Sequence, residues 1–405
     1  MTSTFTVSTE TQKLIDDVKQ WSLKVVRPAA RAADVCGFPM SREEMLEECP
    51  IDISPFAFGF LDLNDKNLLE TKPWLNTLLL DGKSNVAARL VEAIAYGDGW
   101  PLTYFPNAGI AETLISALGT PEQIDKYVGG IARGEYFLSG WAMTEESGGN
   151  DVASIKTTAI RDGNEYVING AKRFLSNGAF VDWAVVFATI DPAARMAGIR
   201  AFIVEKGTPG FHITIEAEKK LGMRYNRQGA YSFENCRVPA ANFLKGKHDG
   251  SETIAALSMF NRSRPYCSAQ AVAGAQAAID YAYDHLSERR GTVQANRWKR
   301  MEDEFAELNH VLEEQRQLIY RSAWLTDNGY PEIKEAAQAK VHAPRVAEAI
   351  ILRCMQLMGP EGLSEDHLLE KWYRDVRLCD IVEGTAHIQK MVISRQLLGA
   401  SAARA

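Results

Sequence analysis

Positive charge is scarce in this chain: 45 Lys and Arg stand against 52 Asp and Glu, a net charge of −7. That balance leaves no electrostatic footprint for nucleic acid. No apolar run reaches the length of a membrane-crossing helix. The opening residues "MTSTFTVSTETQKLIDD" have neither a basic start nor an apolar core, so no secretory signal is expected and a cytoplasmic location is. Six cysteines (36, 49, 236, 267, 354 and 379) form no CxxC pair and read as core or surface thiols of a reduced compartment. No GxGxxG follows a strand, which removes support for a dinucleotide fold. "DGKS" at 81–84 lacks the upstream Gly of a phosphate-binding loop, because Thr77 stands there. There is no HExxH, and "ELNH" (Glu307, His310) has no second Glu-x-x-His to complete a di-iron bundle, so no metal site is expected. Repeats and low-complexity tracts are absent.

What is present divides into three zones. The length of 405 residues suits two or three domains. Residues 1–140 carry helical periodicity. "TETQKLIDDVKQWSLKVV" predicts a helix capped by Thr and stopped by Pro28, and "NVAARLVEAIAYGD" predicts another. "TPEQIDKYVGGIARG" combines a Thr cap, a first-position Pro and an early Glu. Residues 141–248 switch to short β-branched and aromatic runs such as "DWAVVFATI" and "IRAFIVEK", as in a small β-barrel or sandwich. Residues 249–405 return to long helices, one ending at Gly329 and one carrying Pro344, where a kink is expected. The fold class is therefore α+β: a helical N-terminal domain, a middle β-domain and a C-terminal four-helix bundle.

Three distant stretches are candidates for chemistry. "WAMTEESGGNDVASIKTTA" (141–159) sets two adjacent glycines where backbone can approach a ligand; a plain hairpin turn is the alternative. "AKRFLSNGAFVDWAVVFA" (171–188) leads through Asn-Gly into a strand, and a hairpin is again the alternative. "YRDVRLCDIVEGTAHIQ" (373–389) sets Glu383 after Ile381 and Val382 and before Gly384-Thr385, a free backbone hinge followed by an N-cap residue. A carboxylate so held is a candidate base, since desolvation raises its pKa towards what a weakly acidic C–H requires.

Taken together these stretches resemble the acyl-CoA dehydrogenase family. "MTEESGGNDVASIKTTA" is similar to its Thr-Glu-Pro-x-x-Gly-Ser-Asp motif and "FLSNG" to its Trp-Ile-Thr-Asn-Gly motif. "KLGMRYNRQGAYSFENCRVPAANFL" (220–244) resembles the end of its middle domain, and "NRSRP" (261–265) the start of its bundle. The resemblance covers about residues 85–399. It implies FAD between the β-domain and the bundle, an acyl-CoA or acyl-carrier-protein thioester as substrate, and an electron-transferring flavoprotein as acceptor. A homotetramer or homodimer is implied, with a hetero-oligomer as the alternative. Neither nucleic acid nor membrane is implied as a partner.

By position the resemblance makes Glu383 the catalytic base, with hydride passing to the flavin. The alternative base position before "NRSRP" shows Met259-Phe260. Trp141, Met143, Thr144, Gly149, Phe174, Ser176, Thr385 and His387 fall on FAD positions. Arg289, Gln356 and Gly359 fall on positions that reach FAD across a subunit boundary. Asn150, Arg264 and Gly384 fall on the substrate side, as do Trp100, Tyr104 and Phe105, whose bulk suits a short, branched or cyclic acyl group; a packed aromatic core is their alternative. Asp98, in the same stretch, is a candidate for a polar substrate group.

Several positions depart from the family pattern. Phe174 stands for the usual Trp, Glu146–Asn150 for Pro-Gly-Ala-Gly-Ser, "RRGTV" for Arg-x-x-Phe-Gly and Gly359-Pro360 for Gly-Gly. Residues 50–82 replace a Gly-rich loop and are expected to reshape the substrate mouth. Two alternatives follow: a flavin-poor partner subunit of a hetero-oligomer, or an acyl-thioester oxidase or acyl-carrier-protein dehydrogenase.

Overall fold

The computed structural model describes residues 5–105, 109–244 and 251–399. The chain runs as helices, then a curled sheet, then a helical bundle. The expected division between 248 and 249 lies outside the described residues, as does Asn107 of the aromatic stretch.

Ser8, rather than a Thr, caps the first helix, Thr9–Trp21, by accepting Thr11 N–H. Pro28 does not stop it. A π-turn over Ser22–Val26 intervenes, and the helix resumes as Arg27–Cys36 with Pro28 in its first turn, where a missing N–H costs nothing. Ser22 opens this π-turn, and its Oγ donates to Ile94 O at 2.5 Å and accepts Gly97 N–H at 3.1 Å. It thus ties this helix to the central helix Lys83–Gly97, whose Val86, Leu90, Val91 and Ile94 are fully buried. The Thr120 cap forms as expected, in a reciprocal capping box with Gln123.

Seven strands form one sheet: β1 (Ser139–Ala142), β2 (Thr158–Asp162), β3 (Glu165–Leu175), β4 (Trp183–Thr189), β5 (Ile199–Glu205), β6 (Phe211–Ile215) and β7 (Gly229–Pro239). The order is β1-β4-β2-β3-β7-β6, with β5 also on β4. β4 is buried at every position, as a strand covered on both faces must be. Asn177-Gly178 is not a hairpin turn, because β3 pairs with β2 and β7 while β4 pairs with β1 and β5.

The bundle comprises Ser251–Ser287, Ala295–Asp327, Ile333–Met358 and the pair Leu369–Cys379 and Ala386–Leu398. Ile333–Met358 is assigned as one helix through Pro344, and Gly329 closes the preceding helix with φ 70. Buried alanines (269, 273, 277 and 278 on one helix, 336, 339, 343 and 347 on another) line the bundle interior; such small side chains permit close backbone approach. The three parts meet at a buried ionic cluster. Lys371 Nζ lies 2.6 Å from both Asp98 and Asp375, and Asp375 Oδ1 accepts Met223 N–H at 2.5 Å. Asp98 therefore joins the N-terminal helices to the bundle instead of facing a ligand. Among the described residues no helix is long and apolar enough to cross a membrane.

Candidate active site

The turn between Leu369–Cys379 and Ala386–Leu398 takes an unusual path. Glu383 and Gly384 are both left-handed, with φ 57 and 92. A non-glycine residue there costs on the order of 1 kcal/mol and needs support from its surroundings. Arg264 Nε donates to the Glu383 carbonyl at 3.2 Å, and Gln389 Nε2 donates to the carbonyls of Glu383 and Gly384 at 3.5 and 3.4 Å. The angle at Gly384 favours glycine, and a Cβ there would fall 2.6 Å from Gln389 Nε2 and push that amide aside. Thr385 sits at the N-cap, but its side chain does not cap the helix. Its Oγ1 donates instead to Asn150 Oδ1 at 3.4 Å, linking the turn to the Gly148-Gly149 loop.

Glu383 is half-buried. Ser263 Oγ donates to its Oε2 at 2.8 Å. Burial pushes its pKa above the ordinary carboxyl range, and the Ser263 hydrogen bond with the charges of Arg264 and Lys340 pulls partly back. Lys340 is fully buried, and its Nζ has no hydrogen-bond partner among the described residues. Arg264 gives its other arm to Asn261 Oδ1 at 2.5 Å. Ser263 also lines a cavity of about 550 Å³, with Ile110, Thr113, Met259 and Tyr266 in its wall and Leu61–Asn64 and Gly82–Ser84 beside them.

The β-domain brings a second set together. Arg173 N–H donates to Thr144 O at 2.9 Å, so the segment after β1 runs beside the end of β3. There the β3–β7 register slips, Arg173 opposing Ala230 and Leu175 opposing Gly229. Phe174 is the extra residue, with φ 61 and a side chain 49% exposed. A bulge of this kind re-aims a side chain, here an aromatic one, into the open. Ser176 accepts Asn226 Nδ2–H at 3.0 Å, while Asn226 Oδ1 is buried with no partner among the described residues. An exposed aromatic face, a hydroxyl and an orphaned amide oxygen fit a planar heteroaromatic group with a polar edge. Trp141 packs between Phe187 and Phe260, ring centroids 4.7 and 5.6 Å away, and Met143 is buried.

Behind Thr144 lies a clamp that patterning did not reveal. Glu145 accepts the N–H groups of Lys156 and Thr157, the Thr157 hydroxyl and the Lys172 ammonium, the last at 2.8 Å. Lys172 also donates to Met143 O at 3.1 Å. The only signal in the sequence was a Lys within the run that leads to Asn-Gly. Ser263 was likewise missed, although it directly precedes Arg264.

Other predicted residues lie elsewhere. Trp100 donates its indole N–H to Val26 O at 3.1 Å, Tyr104 stacks on Phe38 at 4.4 Å, and Phe105 meets Trp21 at 6.2 Å. All three are buried core and none lines the cavity. Arg289 is exposed and pairs with Glu361 at 2.7 Å, which also holds His285. Gln356 accepts from Arg353 at 3.0 Å, and Gly359, φ 66, ends its helix. These three cluster around the Met358–Leu363 corner, and no hydrogen bond joins them to the Glu383 turn among the described residues. His387 is exposed in the first turn after Thr385.

Residues 140–236 match the family model described as "Acyl-CoA dehydrogenase, middle domain", and 253–398 match "Acyl-CoA dehydrogenase, C-terminal domain". The chain is 34% identical over 292 residues to a short-chain specific acyl-CoA dehydrogenase of Clostridium acetobutylicum, covering 72% of this chain and 76% of that one. The structure of butyryl-CoA dehydrogenase from Megasphaera elsdenii superposes with a TM-score of 0.83 at 26% identity, covering 98% of this chain and all (100%) of that one. A chain in a structure described as an electron transferring flavoprotein of Acidaminococcus fermentans superposes with a TM-score of 0.82 at 28% identity, covering 98% of this chain and 100% of its own.

Proposed function

The chain belongs to the acyl-CoA dehydrogenase family, and from that premise we propose that it oxidises the Cα–Cβ bond of an acyl-CoA thioester to the 2-enoyl thioester, with Glu383 removing the α-proton. One observation carries the reading. Glu383 is a half-buried carboxylate on a left-handed hinge, hydrogen-bonded to a serine that lines a cavity. Its raised pKa suits a proton on carbon beside a thioester, and the hinge supplies orientation. Arg264 steadies the hinge through the Glu383 carbonyl, and Asn150 and Gly384 flank the substrate side.

FAD is the family's cofactor, and when bound it supplies the acceptor for the β-hydrogen. Trp141, Met143, Thr144, Gly149, Phe174 and Ser176 would hold its ring side, and Thr385 and His387 the remainder. Arg289, Gln356 and Gly359 would reach the FAD of an adjacent subunit in a homotetramer or homodimer. The similarity to a chain in an electron transferring flavoprotein structure supports such a protein as electron acceptor. The division into 1–140, 141–248 and 249–405 and a cytoplasmic location belong to the same reading.

The test is spectroscopic. The purified chain with added FAD should be yellow, and anaerobic butyryl- or hexanoyl-CoA should bleach its flavin band. A protein that stays colourless with excess FAD would overturn the reading in favour of a partner subunit. Peroxide formed in air without a dye would reassign the acceptor to O₂.

A further inference from the structure

The cavity beside Ser263 has a mixed wall. Ile110, Met259 and Tyr266 supply apolar surface, while Asp62, Lys83, Arg262 and Asp327 bring charge. Much of that wall comes from the segment 56–64, within the stretch 50–82 that departs from the family pattern, and from the start of the helix at Lys83. The two acids are already engaged. Asp327 accepts Ser84 N–H at 2.8 Å and Asn85 N–H at 2.9 Å, so it caps the helix Lys83–Gly97 from another helix. Asp62 Oδ1 accepts the Asn64 backbone and side-chain N–H groups at 2.9 and 3.1 Å.

The two bases are not so engaged. Among the described residues neither Lys83 nor Arg262 has an ion-pair partner. Lys83 Nζ gives one proton to Leu61 O at 2.5 Å and keeps the rest of its donor capacity. Burial pulls its ammonium below the ordinary range, and the nearby charge of Arg262 adds to that pull against Asp62 and Asp327. An alkyl chain filling this space would strip water from the half-buried Lys83 ammonium and return nothing, while the Arg262 guanidinium lies exposed in the same wall. A carboxylate would return charge-assisted hydrogen bonds, since a guanidinium can grip it with two parallel N–H groups and an ammonium with a third.

Resting on the thioester-oxidising reading above, we infer that the cavity selects acyl groups whose far end bears a carboxylate, with Lys83 and Arg262 as its binding residues. The apolar wall then receives the methylene stem, and Ser263 and Glu383 mark the thioester end.

The experiment uses FAD-loaded enzyme and three matched sets of CoA thioesters: glutaryl, adipyl and pimelyl, their monocarboxyl counterparts, and their terminal amides. For at least one chain length, kcat/KM for the diacid should exceed both neutral counterparts by about tenfold or more, as befits a charged hydrogen bond. Lys83→Gln and Arg262→Gln should each reduce that ratio by about tenfold. A wild-type preference for the alkyl or amide form at every length would overturn the inference, as would ratios unmoved in both variants. Dissociation constants measured on Glu383→Gln holoenzyme give a readout independent of turnover, and the diacid should bind tighter there too. If the wild-type enzyme oxidises none of the thioesters, the functional reading falls, and those dissociation constants still decide the selectivity.

Discussion

Ser263 gives its hydroxyl proton to Glu383 Oε2 at 2.8 Å, while its neighbour Arg264 holds the Glu383 carbonyl at 3.2 Å. Two consecutive residues of the helix Ser251–Ser287 thus grip both ends of one glutamate more than a hundred positions away in the chain. The aim of the carboxylate is therefore set by that helix as much as by its own turn. The strained φ of Glu383 is affordable because Arg264 and Gln389 satisfy the carbonyls it exposes.

If Glu383 is the base, Glu383→Gln should keep the fold and the flavin spectrum while turnover falls by about 10²–10⁴-fold. Glutamine still accepts from Ser263, so the hinge need not move. Stopped-flow bleaching of the flavin by substrate checks this. A variant reduced at the parental rate would remove Glu383 from the mechanism.

Ser263→Ala acts on the same carboxylate through its proton affinity. The Ser263 hydrogen bond favours the ionised form and lowers the Glu383 pKa, against the larger upward push of burial. Removing it should raise the pKa further. The limb of kcat/KM that climbs with pH as the base ionises should then shift to higher pH. A limb that shifts down, or stays fixed, contradicts the assignment.

Much of the architecture could be read from periodicity, because the change from a 3.6-residue to a two-residue pattern and back is a local property. The Thr120 cap and the positive φ of Gly329 and Gly384 were legible for the same reason: each is decided within a few residues. What escaped depends on distant partners. Pro28 reads as a stop until the π-turn Ser22–Val26, tied by Ser22 to Ile94 and Gly97, sets it in the first turn of a resumed helix. Thr385 reads as a side-chain cap until Asn150 offers its amide oxygen. Asp98 reads as a free acid until Lys371 arrives 273 positions later in the chain. The turn at Glu383 drew attention through its own residues, but Ser263, which holds its carboxylate, carried no local mark.

The buried pair Lys172–Glu145 should support the flavin-side segment. Burial outweighs the attraction of Glu145 and brings the Lys172 ammonium down to about 8, while Glu145 itself stays below the ordinary range through its four donors. Lys172→Met leaves an uncompensated carboxylate indoors and frees the Met143 carbonyl. It should cost about 3 kcal/mol of stability and weaken FAD binding. Glu145→Gln combined with Lys172→Met should recover much of the stability, because no lone charge remains. Denaturant unfolding and FAD titration of the single and double variants check both effects. A single variant as stable as the double would mean that the pair is dispensable.

Glu112 offers a test of burial without catalysis. It is 4% exposed, on the helix Ile110–Leu118, and accepts the Ser139 hydroxyl at 2.6 Å. Burial lifts its carboxyl to about 7 from an ordinary 4.5, with Ser139 and Arg42 opposing the rise. The folded chain therefore holds this proton more tightly than the unfolded chain does. The associated stability is complete below the unfolded pKa and is lost as pH rises through about 7. At about 1.36 kcal/mol per pH unit, that loss amounts to about 3 kcal/mol. Glu112→Gln keeps an acceptor for Ser139 and has no proton to lose. Its unfolding free energy should match the parent near about pH 4 and exceed it by up to about 3 kcal/mol near about pH 8. Urea unfolding of both proteins across that range measures the difference directly. A difference that stays flat with pH would mean that Glu112 reaches water in the folded chain, and that its place beneath Ser139 is wrong.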